Sequence, residues 1–167
     1  MCGLPTTSLP PCLVSTLLTQ ANHGVVAAHV AYWARNPDPG SNFARIIGRL
    51  PDIPDAALAA SLGQRGYDGL VYVDDKEIVG HCFFQRRDTE LHGFAVWVAE
   101  HQRGGKLMAI ACFDFIAYAS ACPGITRARI GTGHPADRLL LPLKPISANL
   151  GWHMRQGGWV DFRHDEL

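Results

Sequence analysis

From Gly69 onward the apolar positions fall in short β-type runs divided by polar turns. Gly69-Leu-Val-Tyr-Val73 leads into the polar turn Asp74-Asp-Lys-Glu77, and Ile78-Val-Gly-His-Cys-Phe-Phe-Gln-Arg86 leads into Arg87-Asp-Thr89. Glu90–Val98 is a third run. Runs rich in β-branched and aromatic residues, parted by turns this short, predict a three-stranded antiparallel meander. Gly80, inside the second run, predicts a bulge or a close backbone approach. The pattern then changes. Lys106–Ala121 is apolar nearly all round and carries charge only at Lys106 and Asp114. That predicts a helix of about four turns buried on more than one side. Cys122-Pro-Gly124 ends it, and Ile125–Thr132 reads as a strand. A strand, crossover helix and second strand imply a parallel pair with a right-handed connection.

The rest of the chain is read more coarsely. Residues 1–11 form a loose arm rich in Pro, Thr and Ser, and Cys12–Thr19 a first strand. Ala21–Arg35 suits a helix, broken by Asn36-Pro-Asp-Pro-Gly40, and Asn42–Leu50 and Asp55–Gln64 are further helical pieces. Residues 133–145 show no clear pattern. Ile146–Gln156 reads as helical, Gly157-Gly158 as its stop and Trp159–Phe162 as a short last strand. The expected fold is α/β (α+β), a single domain over 12–167. It has a twisted mixed sheet of about six or seven strands, with about four helices on both faces.

Composition narrows the classes. With 167 residues and 47% hydrophobic content the chain can bury a sizeable core. Lys plus Arg (15) balance Asp plus Glu (15), so no global charge favours nucleic acid or an anionic membrane. No run approaches a membrane span, and the first basic residue is Arg35, which does not suit a secretory signal. The five cysteines, Cys2, Cys12, Cys82, Cys112 and Cys122, are odd in number and not closely spaced. Reduced thiols in a cytoplasmic protein are expected. The cysteines and eight histidines show no zinc spacing, so no metal is expected. Met1-Cys2-Gly3 does not continue as an N-terminal-nucleophile amidotransferase, and Gly131-Thr-Gly-His134 is not followed by the Lys-Ser/Thr of a P-loop.

The chemistry concentrates at Val98-Ala-Glu-His-Gln-Arg-Gly-Gly-Lys-Leu107. A strand, a glycine loop and a helix start bring bare amides and a positive dipole end to one point, which favours an anion such as a phosphate. Gly104 and Gly105 let the backbone approach it, Gln102 through Lys106 can supply N–H groups, and Arg103 and Lys106 add charge.

Val73-Asp-Asp-Lys-Glu-Ile-Val-Gly80, then Val98–Leu107, then Asn149 ahead of Gly158-Trp159, resemble the GCN5-related N-acetyltransferase (GNAT) superfamily over about residues 69–162. Gln102-Arg-Gly-Gly resembles its acyl-CoA pyrophosphate loop, with Leu107 where Gly or Ala is usual. The resemblance implies acetyl-CoA or coenzyme A as co-substrate, held by Trp97, Val98, Gln102, Arg103, Gly104, Gly105, Lys106, Leu107 and Asn149. Ser147 lies nearer the family's usual Asn place. Amides near Trp97 and Val98 would hold the pantetheine or the thioester carbonyl, in a gap between the strand of Val98 and that of Ile125–Thr132.

The implied reaction is transfer of an acetyl or short acyl group to a primary amine by direct attack in a ternary complex, with Cys82, Cys112 and Cys122 as core residues. The alternative is a non-catalytic acyl-CoA-binding or regulatory module of the same fold. Glu90, His92 and Glu100 are candidate bases. The family's frequent Tyr acid is absent, with Met154 at its place and His153 beside it as a candidate acid. The acceptor would be a small-molecule or peptide amine. The stop at Leu167, soon after Phe162, leaves room for a partner to complete the sheet, so a homodimer is an expectation.

Overall fold

In a computed structural model of the chain, residues 13–17, 29, 31–33, 35, 53–75, 77–104, 106–130, 152–154 and 159–162 are described. They form one seven-stranded sheet. β1 is Leu13–Leu17, β2 Tyr67–Asp74, β3 Glu77–Arg87, β4 Glu90–Val98, β5 Arg127–Ile130, β6 Trp152–Met154 and β7 Trp159–Phe162. The spatial order is β1-β2-β3-β4-β5-β7-β6. Every neighbouring pair is antiparallel except β4 and β5, which are parallel. The meander and the parallel crossover are both as the pattern predicts.

Helix α1 (Asp55–Gln64) lies against β2, and α2 (Leu107–Ala121) connects β4 to β5. His29, Ala31, Tyr32, Trp33 and Arg35 are helical too. The expected arm over 1–11, the helical piece Asn42–Leu50 and the unassigned residues 133–145 lie outside the described residues.

One expectation is overturned. Trp152–Met154, read as part of a helix, is a strand paired with β7 through Trp152↔Phe162, His153↔Asp161 and Met154↔Val160. Trp152 is buried and meets Phe113 and Phe162. Its burial is met by an antiparallel strand pair.

Each sheet face has its own core. Leu70, Tyr72, Cys82, Phe84, Leu91 and Val98 pack against Leu107, Cys112, Phe115 and Tyr118 of α2. The other face buries Tyr67, Phe83 and Ala95 with Ala31, Trp33 and the α1 residues Leu58 and Leu62. Asp114, fully buried on α2, accepts a 2.9 Å hydrogen bond from the Tyr72 hydroxyl and ties α2 to β2. Burial first, and then the Asp114 charge, push the Tyr72 phenol far above its ordinary value, so it stays a donor.

Two bulges set the register. In β3, Tyr72 pairs with Gly80 and Val73 with Ile78, so Val79 is the extra residue. In β4, Phe83 pairs with Ala95 and Phe84 with Gly93, so Phe94 is the extra residue. A bulge bends its strand and redirects side chains. The second one governs the site.

Gly69 has no room for a side chain: a Cβ there would lie 2.4 Å from Phe83 Cδ1 and 2.9 Å from the Cys82 carbonyl oxygen. The Phe83 ring is stacked on His81 at 4.0 Å and cannot swing aside freely. Gly69→Ala is expected to lower unfolding free energy by about 3 kcal/mol, as overpacking a tight core does. Urea denaturation checks this; a loss below about 1 kcal/mol would show that β2 and β3 separate easily there.

Candidate functional site

The loop after β4 is built from its own hydrogen bonds. Glu100–Gln102 forms a single 3₁₀ turn. The Gln102 amide donates to Ala99 O at 2.9 Å and the Arg103 amide to Glu100 O at 3.1 Å. Those two N–H groups are therefore used within the turn, which corrects the expectation that Gln102 through Lys106 all offer amides. The donors move one step along the chain. Gly104 sits at φ +83°, with no atom within 4 Å of where a Cβ would stand.

Lys106 caps α2, and the first helical bond is Ile110 N–H to Lys106 O, so the helix itself supplies no acceptor to Leu107, Met108 and Ala109 N–H. No side chain caps this end and no acid lies in its first turn, so its positive dipole end is uncompensated there. Arg103 and Lys106 are exposed beside it. Gln102 Nε2 reaches Asp74 Oδ2 at 3.5 Å, tethering the loop to the β2–β3 turn.

Leu107 explains its own departure from a small residue. It is 3% exposed, and its Cδ2 lies 3.2 Å from the position a Gly80 Cβ would take. The side chain fills the space that glycine leaves in β3, and only the backbone of Leu107 belongs to the anion site. Gly80 is thus both next to a bulge and a close approach.

The bulge at Phe94 divides β4 into two parts. Glu90, Leu91, His92 and Gly93 pair with Arg127, Ala128, Arg129 and Ile130 of β5. Beyond Gly93, the β5-side edge of Ala95–Val98 has no strand partner among the described residues, and its Val98 carbonyl accepts a 3.4 Å hydrogen bond from Arg103 Nε. This edge runs roughly 13 Å at an extended rise per residue. It joins the fork at Gly93 and Ile130 to the anion site at the head of α2. Backbone groups on such an edge need partners, so it is a template for an extended polar ligand. Val98 turns its backbone to this edge, nearest the loop; Trp97, like Ala99 whose N–H bonds Val79 O, turns its backbone to β3, which corrects the expectation of a Trp97 amide contact.

At the fork stands a charged group. His92 and Glu90 are joined at 2.9 Å between Nε2 and Oε2, and Arg127 on β5 contacts Glu90 Oε1. Hydrogen bonding from His92 first, then from Arg127, holds the Glu90 carboxyl below its usual range. An ionised carboxylate only accepts, so His92 Nε2 carries the proton and a neutral ring has its lone pair on Nδ1. The other candidates lie elsewhere. Glu100 is exposed in the 3₁₀ turn, and His153 is exposed on the sheet-edge strand β6, with β7 and β5 between it and β4. Gly105, Ser147 and Asn149 lie outside the described residues.

A second polar group was not singled out from sequence. His81 on β3 is fully buried, and its Nδ1 lies 3.0 Å from His29 Nε2. Its ring is stacked between Phe83 and Trp97, with Trp33 edge-on at 5.0 Å. Burial pushes His29 down to about 4 and His81 well below the usual histidine range, so both are neutral near pH 7. The sequence signals were a polar His81 inside an apolar run and a His-Trp spacing of four, His29 and Trp33, on a helix. Neither reveals a contact spanning 52 positions. Cys82, Cys112 and Cys122 are buried, as expected, and burial holds Cys82 and Cys112 as thiols. Among the described residues no cluster of His, Cys, Asp and Glu is set to hold a metal.

No protein-family model matches the chain, and no curated protein matches it. Solved structures do. An acetyltransferase of Trypanosoma brucei is 14% identical over 93% of this chain and 98% of its own, with a TM-score of 0.54. An aminoglycoside acetyltransferase from an uncultured soil metagenomic sample is 14% identical over 86% and 93%, with a TM-score of 0.53. The Campylobacter jejuni N-acetyltransferase PseH, in complex with acetyl coenzyme A, is 12% identical over 92% and 99%, with a TM-score of 0.50. At these identities the likeness is one of fold.

Proposed function

We propose, for a chain whose fold is that of the GCN5-related N-acetyltransferase superfamily, that it transfers an acetyl or short acyl group from acyl-CoA to a primary amine. The observation that carries this is the continuity of three features. An uncompensated helix N-terminus suits a pyrophosphate, a free strand edge suits an extended amide-bearing arm, and a carboxylate-oriented histidine stands where that edge ends.

The amides of Gly104 and of Lys106 to Ala109, with the Arg103 and Lys106 side chains, hold the pyrophosphate. Gly105 and Asn149 complete the proposed contacts. Outward-facing amides of the Ala95–Val98 edge, that of Val98 among them, hold the pantetheine and polarise the thioester carbonyl, with Trp97 contributing its ring. The amine nitrogen attacks that carbonyl, His92 Nδ1 takes its proton, and the C–S bond breaks as the thiolate leaves and is protonated from solvent. Among the described residues no cysteine enters the path, since Cys82, Cys112 and Cys122 are buried. This supports direct transfer without an acyl-enzyme.

Isothermal titration tests the reading. Coenzyme A is expected to bind, and replacing both Arg103 and Lys106 by Ala to weaken it at least tenfold, about 1.4 kcal/mol. If neither acetyl-CoA nor coenzyme A binds, the proposal fails. Binding without thiol release across a broad amine panel would instead leave a non-catalytic acyl-CoA module.

A further inference from the structure

Helix α2 closes one face of the sheet along β4. A Cβ on Gly93 would lie 3.3 Å from the Phe115 ring, and Leu107 fills the space over Gly80. Among the described residues, the reacting end of a ligand on the β4 edge is left open from the opposite face. That face is walled by rings. Trp97, partly exposed, has His29 at 5.6 Å, Trp33 at 5.3 Å and His81 at 5.5 Å between ring centres. Tyr32 stands edge-on to Trp33 and is 60% exposed, the exposed large hydrophobic among the described residues. Phe94, raised onto this face by the bulge, packs edge-on to Tyr67.

The wall carries one polar opening. His29 and His81 share a single hydrogen bond through His29 Nε2 and His81 Nδ1. With both rings neutral, each has one proton. If His29 donates, its Nδ1 is a lone pair and His81 Nε2 bears hydrogen; if His81 donates, the reverse holds. The pair can thus offer an acceptor or a donor at His29 Nδ1 without changing charge. His81 Nε2 is buried with no hydrogen-bond partner among the described residues, so the state of that pair is not locked from the inside. His29 is only partly buried and lies at the solvent side of the pair. No carboxylate is among these ring contacts, and the acid on β4 of this face, Glu90, is held by His92 and Arg127.

We propose that His29, oriented by His81, is a specificity determinant of the acceptor site. With Tyr32 and Trp97 it takes a monoamine with a flat, apolar body and disfavours polycationic amines. This rests on the acyl-transfer reading and adds the acceptor's class to it. A neutral aromatic wall rewards stacking and a single cation over a ring face, and among the described residues its rings give further ammonium groups no carboxylate to pair with. His29 serves as a positioning group and not the base, since a neutral imidazole so reluctant to take a proton is a poor base near pH 7.

The test measures thiol release with acetyl-CoA held saturating, for phenethylamine and spermidine, in the native protein and in His29→Ala and Tyr32→Ala. Native kcat/KM is expected to be at least tenfold higher for phenethylamine. Both variants should raise KM for phenethylamine several-fold with kcat little changed, and coenzyme A affinity by titration should be unaltered. Tyr32 is exposed, so its variant stays informative even if His29→Ala folds poorly. A protein that binds coenzyme A but prefers spermidine, or whose KM is unmoved in both variants, overturns this proposal alone. A protein that binds no coenzyme A overturns the transfer reading as well.

Discussion

Replacing His92 by Gln is expected to lower kcat for acetyl transfer by about 10²–10³-fold, the range a positioned general base supplies. Gln can still donate to Glu90, so the Glu90–Arg127 pair across β4 and β5 keeps its partners. What is lost is the Nδ1 lone pair. Coenzyme A affinity should stay within about twofold, because the anion site lies at the other end of the free edge. Glu90→Gln makes a graded companion. It keeps the histidine but replaces an acceptor-only carboxylate by an amide that can also donate, so the ring tautomer is no longer fixed. A fall of about tenfold is expected there. Steady-state kinetics at saturating acetyl-CoA would settle it: a His92→Gln enzyme within threefold of native kcat removes His92 from the proton path. Attention would then turn to Glu100, which sits at the loop end.

Where sequence was a good guide, the signal was local. The alternation from Gly69 to Val98 names its own partners, because each turn between its strands is only two residues long and antiparallel neighbours follow from short turns. The apolar run Leu107–Ala121 could only be a buried crossover. Glu90 and His92 stood in the sequence only as separate candidate bases; their contact follows in the fold because residues two apart on a strand share a face.

Where sequence misled, the deciding contact was distant or depended on one backbone bond. Trp152 looks like part of a helical stretch ended by glycines, and only its packing on Phe113 and Phe162 makes Trp152–Met154 a strand. Leu107 looks like a flaw in a glycine loop until Gly80, far back in β3, is seen to leave it room. The Gln102 and Arg103 amides look available until the 3₁₀ turn takes them. The Phe94 bulge leaves no mark in composition, yet it decides which β4 side chains reach the acceptor face.

Acid should unfold this protein from an unusually high pH. Burial pushes His29 down to about 4 in the folded chain against an ordinary 6.5, and holds His81 well below the ordinary value too. Below pH 6.5 the unfolded chain therefore binds protons that the folded chain refuses. Stability rises with pH wherever the unfolded state holds more protons, so this contribution is complete above about pH 6.5. It is lost as pH falls towards 4, at about 1.4 kcal/mol per pH unit for His29, with His81 adding a loss of the same sign. The cause is burial: the ring contacts of both histidines are with aromatic side chains and with each other, and none offers a carboxylate to a charged imidazole. Glu90 adds a loss of the same sign at lower pH, since its depressed carboxyl must be protonated as the chain unfolds in acid. The window between pH 6.5 and 4.5 thus belongs chiefly to the histidine pair. Urea midpoints measured across that window should fall steeply in the native protein. A double variant, His29→Leu with His81→Phe, removes both titrating groups together and leaves no half-bonded imidazole in the core, so its midpoints should be nearly flat over the same range. Equal slopes in the two proteins would mean that the pair is reached by water and takes up protons in the folded state.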